Sequence, residues 1–266
     1  MYGEVAEACA GLGLDYIVVG AAARDLVFHH VHGVPITRAT SDVDFGLKVK
    51  DWDAFYRLRD ALIGRGYNAK GSQHRLFSPH GTQVDVIPFG QVADSNSTIT
   101  WPPDGETKMS VLGFREAHDH SDLICIQDEP RLDIRVVTPA GMALLKIIAW
   151  TDRALDLRTK DAKDVLHLLR NYQKIREVLD AVYDDAELGE RHEWDVELMS
   201  AEIFGRRTRA IASPETSRVV VALADDANAI DSLAWEMSDG IDDLLERSRP
   251  LLTAFFDGFR VNPGRR

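Results

Sequence analysis

Ser41-Asp42-Val43-Asp44-Phe45 sets two carboxylates two residues apart, and the segment 43–49 alternates as a β-strand does. Alternate residues of a strand project from one face, so Asp42 and Asp44 stand side by side. Adjacent carboxylates repel, and a strand that carries them calls for a counter-cation. Hard divalent cations such as Mg²⁺ take oxygen ligands of this kind. A third carboxylate, Asp85, lies at the centre of the alternating run Thr82-Gln83-Val84-Asp85-Val86-Ile87-Pro88. An unpaired charge there would be costly. Three strand-borne carboxylates on one sheet have the chemistry to hold two Mg²⁺ (or Mn²⁺) ions. That arrangement aligns a nucleophile with a leaving pyrophosphate for phosphoryl or nucleotidyl transfer. A D-x-D pair alone is equally the mark of a solvated strand face.

The context upstream narrows the choice. Val18-Val19-Gly20-Ala21-Ala22-Ala23-Arg24-Asp25-Leu26 reads as a strand, a small-residue turn and a helix start. Small side chains let backbone N–H groups approach a phosphate at a helix N-terminus. Arg24, one turn in, has the reach for phosphate oxygens.

The order Gly20-Ala21, Arg24-Asp25, Ser41-Asp42-Val43-Asp44, Asp85 resembles the DNA polymerase β-type nucleotidyltransferase superfamily. Within it the chain is most similar to the AbiEii/AbiGii-type nucleotidyltransferase toxins of bacterial toxin–antitoxin and phage-abortive systems. That choice rests on the second half. Residues 137–150 resemble the family's helix with a functional lysine, here Lys146. Arg153 and Arg158-Thr159-Lys160-Asp161-Ala162-Lys163-Asp164 resemble its following R…KD..DL element. The resemblance covers about residues 15–172. It implies Asp42, Asp44 and Asp85 as metal ligands and, with Lys146, as catalytic groups. It implies Gly20, Ala21, Arg24, Ser41, Arg153, Asp161 and Asp164 as nucleotide contacts. Ala21 stands where the family has Gly or Ser, so a hydroxyl contact to phosphate is missing there.

Lys146 reads physically as well. Lys146, Trp150 and Arg153 fall at i, i+4 and i+7 on one helix face. A lone lysine in an apolar run either snorkels to solvent or faces a cleft. Lys160-Asp161 and Lys163-Asp164 would look the same on any amphipathic surface helix.

These groups need elements to position them. The first half alternates helix and strand signals: strands at 15–20, 43–49, 74–78, 82–88, 123–126 and 132–137, and helices over 21–30 and after Asp51, an N-cap. Residues 90–122 are the least readable. From Thr138-Pro139 onward the pattern is helical throughout, over 139–155, 160–172, 173–188, 193–205, 214–227, 229–248 and 249–258. The expectation is an α/β (α+β) nucleotidyltransferase-type catalytic domain over 1–138, with a mixed, twisted sheet and flanking helices. A helical domain over 139–266 would complete the active-site cleft.

Composition bounds the rest. The 266 residues are 45% hydrophobic, enough for a substantial core, and carry a net charge of −12. The acidity is concentrated in 177–257, with 20 acidic against 7 basic residues, whereas 139–176 has 8 basic against 4 acidic. An acidic whole argues against a non-specific nucleic-acid coat, and the basic middle leaves room for one anionic ligand. No run approaches the ~18 apolar residues of a membrane helix. Cys9 and Cys125 make no disulfide framework, so a cytoplasmic setting is expected. His29-His30-Val31-His32 and His118-Asp119-His120 lack a completing metal set. Arg38, between the turn and the carboxylates, is a candidate phosphate or acceptor contact. Arg206-Arg207…Arg209 suits either an RNA backbone or the neighbouring acidic helices.

The expected activity is transfer of a nucleoside monophosphate from an NTP to a hydroxyl acceptor. The resemblance favours a tRNA 3′ end, with a protein antitoxin as partner. The acidic C-terminal part suggests instead a small hydroxylated molecule of the antibiotic type. A non-catalytic nucleotide-binding module is the reading from another class.

Overall fold

The computed structural model describes residues 1–35, 40–103 and 105–261, so Arg38 lies outside the described residues. The chain forms two units. One comprises Met1–Val31 and Pro35–Thr138, the other His32–Val34 and Pro139–Arg266.

The first unit runs α1 (Tyr2–Leu12), β1 (Asp15–Val19), α2 (Gly20–Asp25), a π-helical turn (Leu26–Val31), β2 (Asp42–Val49), α3 (Trp52–Gly64), β3 (Asn68–Ala69), β4 (Arg75–Phe77), β5 (Gln83–Gly90), β6 (Thr98–Thr100), β7 (Lys108–Ser110), α4 (Phe114–Asp119), β8 (Asp122–Gln127) and β9 (Leu132–Val136). Seven strands form one mixed sheet in the order β3-β4-β5-β2-β1-β9-β8, and β6 and β7 pair separately. This is the mixed α/β class expected from the sequence. The expected helix over 21–30 is instead the short α2 and a π-turn, which buries the consecutive Val27 and Phe28. Helix α1 was not expected. Its signal is faint, with only Val5, Ala8 and Cys9 buried.

At the sheet's centre, β2 lies antiparallel to β1 and parallel to β5. Val43, Phe45, Leu47 and Val49 project to one face and are buried. Each such side chain removed from water contributes roughly 1.5–3 kcal/mol. That burial fixes the register, because a slip of one residue would turn the carboxylates into the core. Asp51 caps α3, its Oδ1 accepting from the Ala54 N–H at 2.8 Å.

The second unit is helical: α5 (Pro139–Asp152), α6 (Thr159–Tyr172), α7 (Arg176–Asp184), α8 (Ala186–Arg191), α9 (Val196–Ile211), α10 (Pro214–Asp225), α11 (Ala227–Ser238) and α12 (Asp242–Arg260). Two expected boundaries differ. The helix expected over 173–188 is broken at Asp185, whose side chain caps α8. The break expected between 248 and 249 is absent, because α12 runs through Pro250. Glu246 and Pro250 are both exposed, so the hydrogen bond that the proline removes belongs to the helix's solvent-facing side. The chain turns earlier, at Asp239 and Gly240, both with positive φ. Helices α9 and α12 cross closely: a Cβ on Gly205 would strike the Phe255 carbonyl, and one on Gly258 the Glu202 carbonyl.

Buried Glu202 is the polar anchor of this unit. It accepts from Arg191 at 2.5 Å, Arg206 at 2.6 Å and His192 at 2.7 Å. Burial opposes its ionisation, but the bonds from His192 and Arg206 outweigh it and hold its carboxyl below the usual 4.5. A depressed carboxyl pKa stabilises the fold above the unfolded value, and that contribution is lost as pH falls through the folded value. Glu202→Gln is expected to cost about 2 kcal/mol in urea unfolding at pH 7, less than a fully dry pair because Arg191 and Arg206 keep some contact with water. The difference from wild type should shrink as the pH is taken below 4.5.

Candidate active site

The parallel register of β2 and β5 sets Asp44 opposite Asp85 and Asp42 opposite Gln83. In-register residues of adjacent strands share a face, so the three carboxylates occupy one side of one strand pair. On the other flank, Asp44 pairs in register with Val19, the last residue of β1. The next residue, Gly20, has φ +71°, and a Cβ on it would run into the Asp44 carboxylate, 3.0 Å from its Cγ. The small-residue turn is therefore a seat for Asp44. A side chain larger than hydrogen would displace the carboxylate and also strain the backbone.

Arg24 is buried and donates to Asp25 from Nε and a terminal nitrogen, at 2.9 and 2.8 Å. Ala21 is half-buried beside Gly20, and Ser41 is exposed just before β2. Asp42 accepts from the Thr40 hydroxyl at 2.5 Å.

Asp85 is buried and both its oxygens are engaged. Arg75 on β4 lies opposite it in the antiparallel β4–β5 register. Its Nε donates to Oδ1 at 2.9 Å and a terminal nitrogen to Oδ2 at 2.8 Å. Gln83 adds a bond to Oδ2 at 3.2 Å. The bonds to Asp85 raise the Arg75 pKa, and the charges of Asp85, Asp42 and Asp44 add to that effect. One guanidinium thus serves the field of all three carboxylates. Beside it, burial lowers the His74 pKa.

The donor set is all oxygen, which suits a hard divalent cation and not zinc. Among the described residues no three His, Cys, Asp or Glu side chains stand together as a cation cage. The reason lies in the partners, since Asp85 faces its arginine. The donor chemistry fits; the arrangement is an arginine-held form of it.

The second unit carries its own charge cluster. Lys146 donates to Asp161 at 2.9 Å and pairs with Asp164 at 2.6 Å. Arg153 donates to the other oxygen of Asp161 at 2.5 Å. Asp161 is fully buried. Burial alone would lower the Lys146 pKa, but the charges of Asp164 and Asp161 outweigh it and raise it. Lys146 is therefore an ammonium ion throughout the neutral range. Within its own unit Lys146 is held between carboxylates rather than snorkelling. Trp150, on the same face, is buried and donates to Glu236 at 2.8 Å, with Arg158 stacked 4.1 Å over its ring.

With both clusters in view, relatives can be placed. A family model described as "Nucleotidyl transferase AbiEii toxin, Type IV TA system" matches residues 11–243. The chain belongs to the AbiEii nucleotidyltransferase toxin family. It is thereby a transferase of that family. No curated protein matches it in sequence. Among solved structures it is similar to the antibiotic-resistance factor ANT(2'')-Ia, in a solution structure titled for substrate-regulated conformation dynamics. The two are 14% identical, with 72% of this chain and 93% of that one covered and a TM-score of 0.37. It is also similar to an antigenic nucleotidyltransferase-like protein from Paracoccidioides brasiliensis, 16% identical over 71% and 89% of the two chains, with a TM-score of 0.38.

Other sequence candidates resolve into structure. His30 Nε2 lies 3.1 Å from the Cys125 carbonyl, and His118 Nδ1 2.9 Å from Asp119. Arg206 bonds Glu202 and Asp185, Arg207 the Tyr172 hydroxyl, and Arg209 the Ser217 hydroxyl. Those three arginines of α9 thus bond to neighbouring elements of the second unit. Arg75 and Gln83 were missed. The signal was present: a hairpin centred on Pro79-His80-Gly81 pairs Phe77 with Gln83 and so Arg75 with Asp85.

Gly20→Ala is expected to destabilise the protein by about 1–2 kcal/mol from left-handed strain alone, with the carboxylate clash added. In an Asp44→Ala background only the strain should remain. A double-mutant cycle by chemical unfolding measures the coupling, and additive effects would contradict the seat.

Proposed function

We propose that this protein transfers a nucleoside monophosphate from an NTP to a hydroxyl acceptor, with Asp42, Asp44 and Asp85 as the ligands of two Mg²⁺ (or Mn²⁺) ions. The observation that carries this reading is the register of β2 and β5, which sets three carboxylates on one face beside the Gly20 turn. Bound Mg²⁺ would polarise the α-phosphate and neutralise the departing pyrophosphate. The acceptor oxygen bonds to the α-phosphorus as the bridge to the β-phosphate breaks. The acceptor proton would leave as Asp85 activates the hydroxyl, either through the cation it ligates or as general base.

The backbone at Gly20-Ala21 and Ser41 would receive phosphate oxygens, and Arg24, tied to Asp25, would keep the turn's shape and charge. Lys146 and Arg153 would supply positive charge to the triphosphate. Asp161 and Asp164 would hold that charge in place, as their contacts to Lys146 support. We propose 1–138 as the catalytic domain and 139–266 as the helical domain that completes the machinery.

The acceptor we favour is the 3′ end of a tRNA. Membership of a toxin family of toxin–antitoxin systems supports that reading, and with it an antitoxin partner acting in the cytoplasm. Among the described residues no helix is long and apolar enough to cross a membrane. One observation favours a small hydroxylated acceptor instead. Four of the seven arginines in the acidic stretch 177–257 pair with its own carboxylates: Arg191 and Arg206 with Glu202, Arg247 with Asp195 and Glu197, Arg249 with Asp231.

The test incubates the purified protein with each α-labelled NTP, Mg²⁺ and total cellular RNA, beside Asp42→Ala. Wild type is expected to label tRNA-sized bands. The variant should lose at least ~10³-fold in rate, as several kcal/mol of charge stabilisation disappear, with its melting temperature little changed. Activity surviving in Asp42→Ala would refute the assignment. Pyrophosphate release with small hydroxylated acceptors but no labelled RNA would select the second reading. NTP binding with neither would leave a binding module.

A further inference from the structure

The bidentate Arg75–Asp85 pair has consequences for the cation site itself. Its geometry places a fixed positive charge on both oxygens of one proposed ligand. Asp85 is buried, so its charge needs a partner in every state of the protein. Arg75 is different. Its side chain is 35% exposed, so its guanidinium can be solvated once it releases Asp85. Its strand β4 has three residues, and among the described residues the strand outside it, β3, has two. The arginine therefore rides on a short ribbon at the sheet's edge. Asp42 and Asp44, on the same face, are close enough for their charges to reinforce that of Asp85 on Arg75.

We propose that Arg75 is a positioning residue that occupies Asp85 in place of a divalent cation, so that cation binding requires Arg75 to release the carboxylate. This rests on the reading of Asp85 as a cation ligand. In the arginine-held form the Asp85 carboxylate is neutralised and kept on its rotamer, and the three-ligand set is incomplete. In the released form Asp85 turns to the cation, and the guanidinium charge moves towards solvent. The cation pays for breaking two charge-assisted hydrogen bonds, so its affinity is set below that of the bare carboxylates. An ordinary cross-strand ion pair would instead contribute only to stability.

The two alternatives differ in sign, and Mn²⁺ alone, without nucleotide, is the probe. Free Mn²⁺ is followed by electron paramagnetic resonance in titrations of the full-length protein and its Arg75→Gln, Arg75→Lys, Asp85→Asn and Arg75→Gln/Asp85→Asn variants. Arg75→Gln is expected to bind Mn²⁺ on the order of tenfold more tightly, the effect of one partly exposed charge-assisted pair. Arg75→Lys, with a single-point contact, should fall between the two and serves if the glutamine variant folds poorly. Asp85→Asn should bind more weakly, and Arg75→Gln should no longer tighten binding in that background. Unchanged or weaker binding in Arg75→Gln, with Asp85→Asn still weakened, would overturn the release model and leave Asp85 as a ligand. No effect of Asp85→Asn would remove the premise, and the proposal with it.

Discussion

Three carboxylates share one face of a parallel strand pair, and the first unit is arranged around the cost of that crowding. Like charges at strand spacing disfavour ionisation unless positive charge or hydrogen-bond donors surround them. Each is provided for separately. Asp42 takes the Thr40 hydroxyl, Asp85 takes a guanidinium and an amide, and Asp44 sits in the space left by the missing side chain of Gly20. The apolar face of β2 makes the arrangement compulsory. With Val43, Phe45, Leu47 and Val49 buried, the intervening residues have no other side to occupy.

The second unit solves a similar problem with the opposite balance. Two carboxylates of α6 are taken out of water, and Lys146 and Arg153 of α5 and its C-terminal end neutralise them. Lys146 is the shared member of this chain of alternating charge, and its loss would leave two buried carboxylates short of a partner. The same pairing keeps Lys146 protonated, which suits it to binding anions and unsuits it to accepting a proton. Glu202 repeats the device between α8 and α9, where two arginines and His192 converge on one carboxylate.

Much of this was legible in the sequence because it is local. Alternation in 43–49 and 82–88 revealed both carboxylate strands and the shared face of Asp42 and Asp44. The Val19-Gly20 turn was visible as a run of small residues, although its function as a seat for Asp44 depends on the β1–β2 register. What escaped was the pairing partner. Arg75 looks like any charged residue on a short strand until the hairpin register is known. The helical half was read as helix correctly, but the break expected between 248 and 249 is absent, and α12 runs through Pro250. A proline is tolerated more easily on a helix's exposed face, where Glu246 and Pro250 lie. The AbiEii family match over 11–243 extends well past the 15–172 that the motifs suggested.

The central claim is that Asp42, Asp44 and Asp85 form a cation site for a nucleoside triphosphate. Crystals grown with Mn²⁺ and a non-hydrolysable NTP, measured at the manganese absorption edge, test it most directly. The account predicts anomalous peaks about 2 Å from the Asp42 and Asp44 carboxylate oxygens, with the triphosphate beside Gly20. A bound nucleotide whose manganese lies elsewhere, with Asp42 and Asp44 uncoordinated, would contradict it.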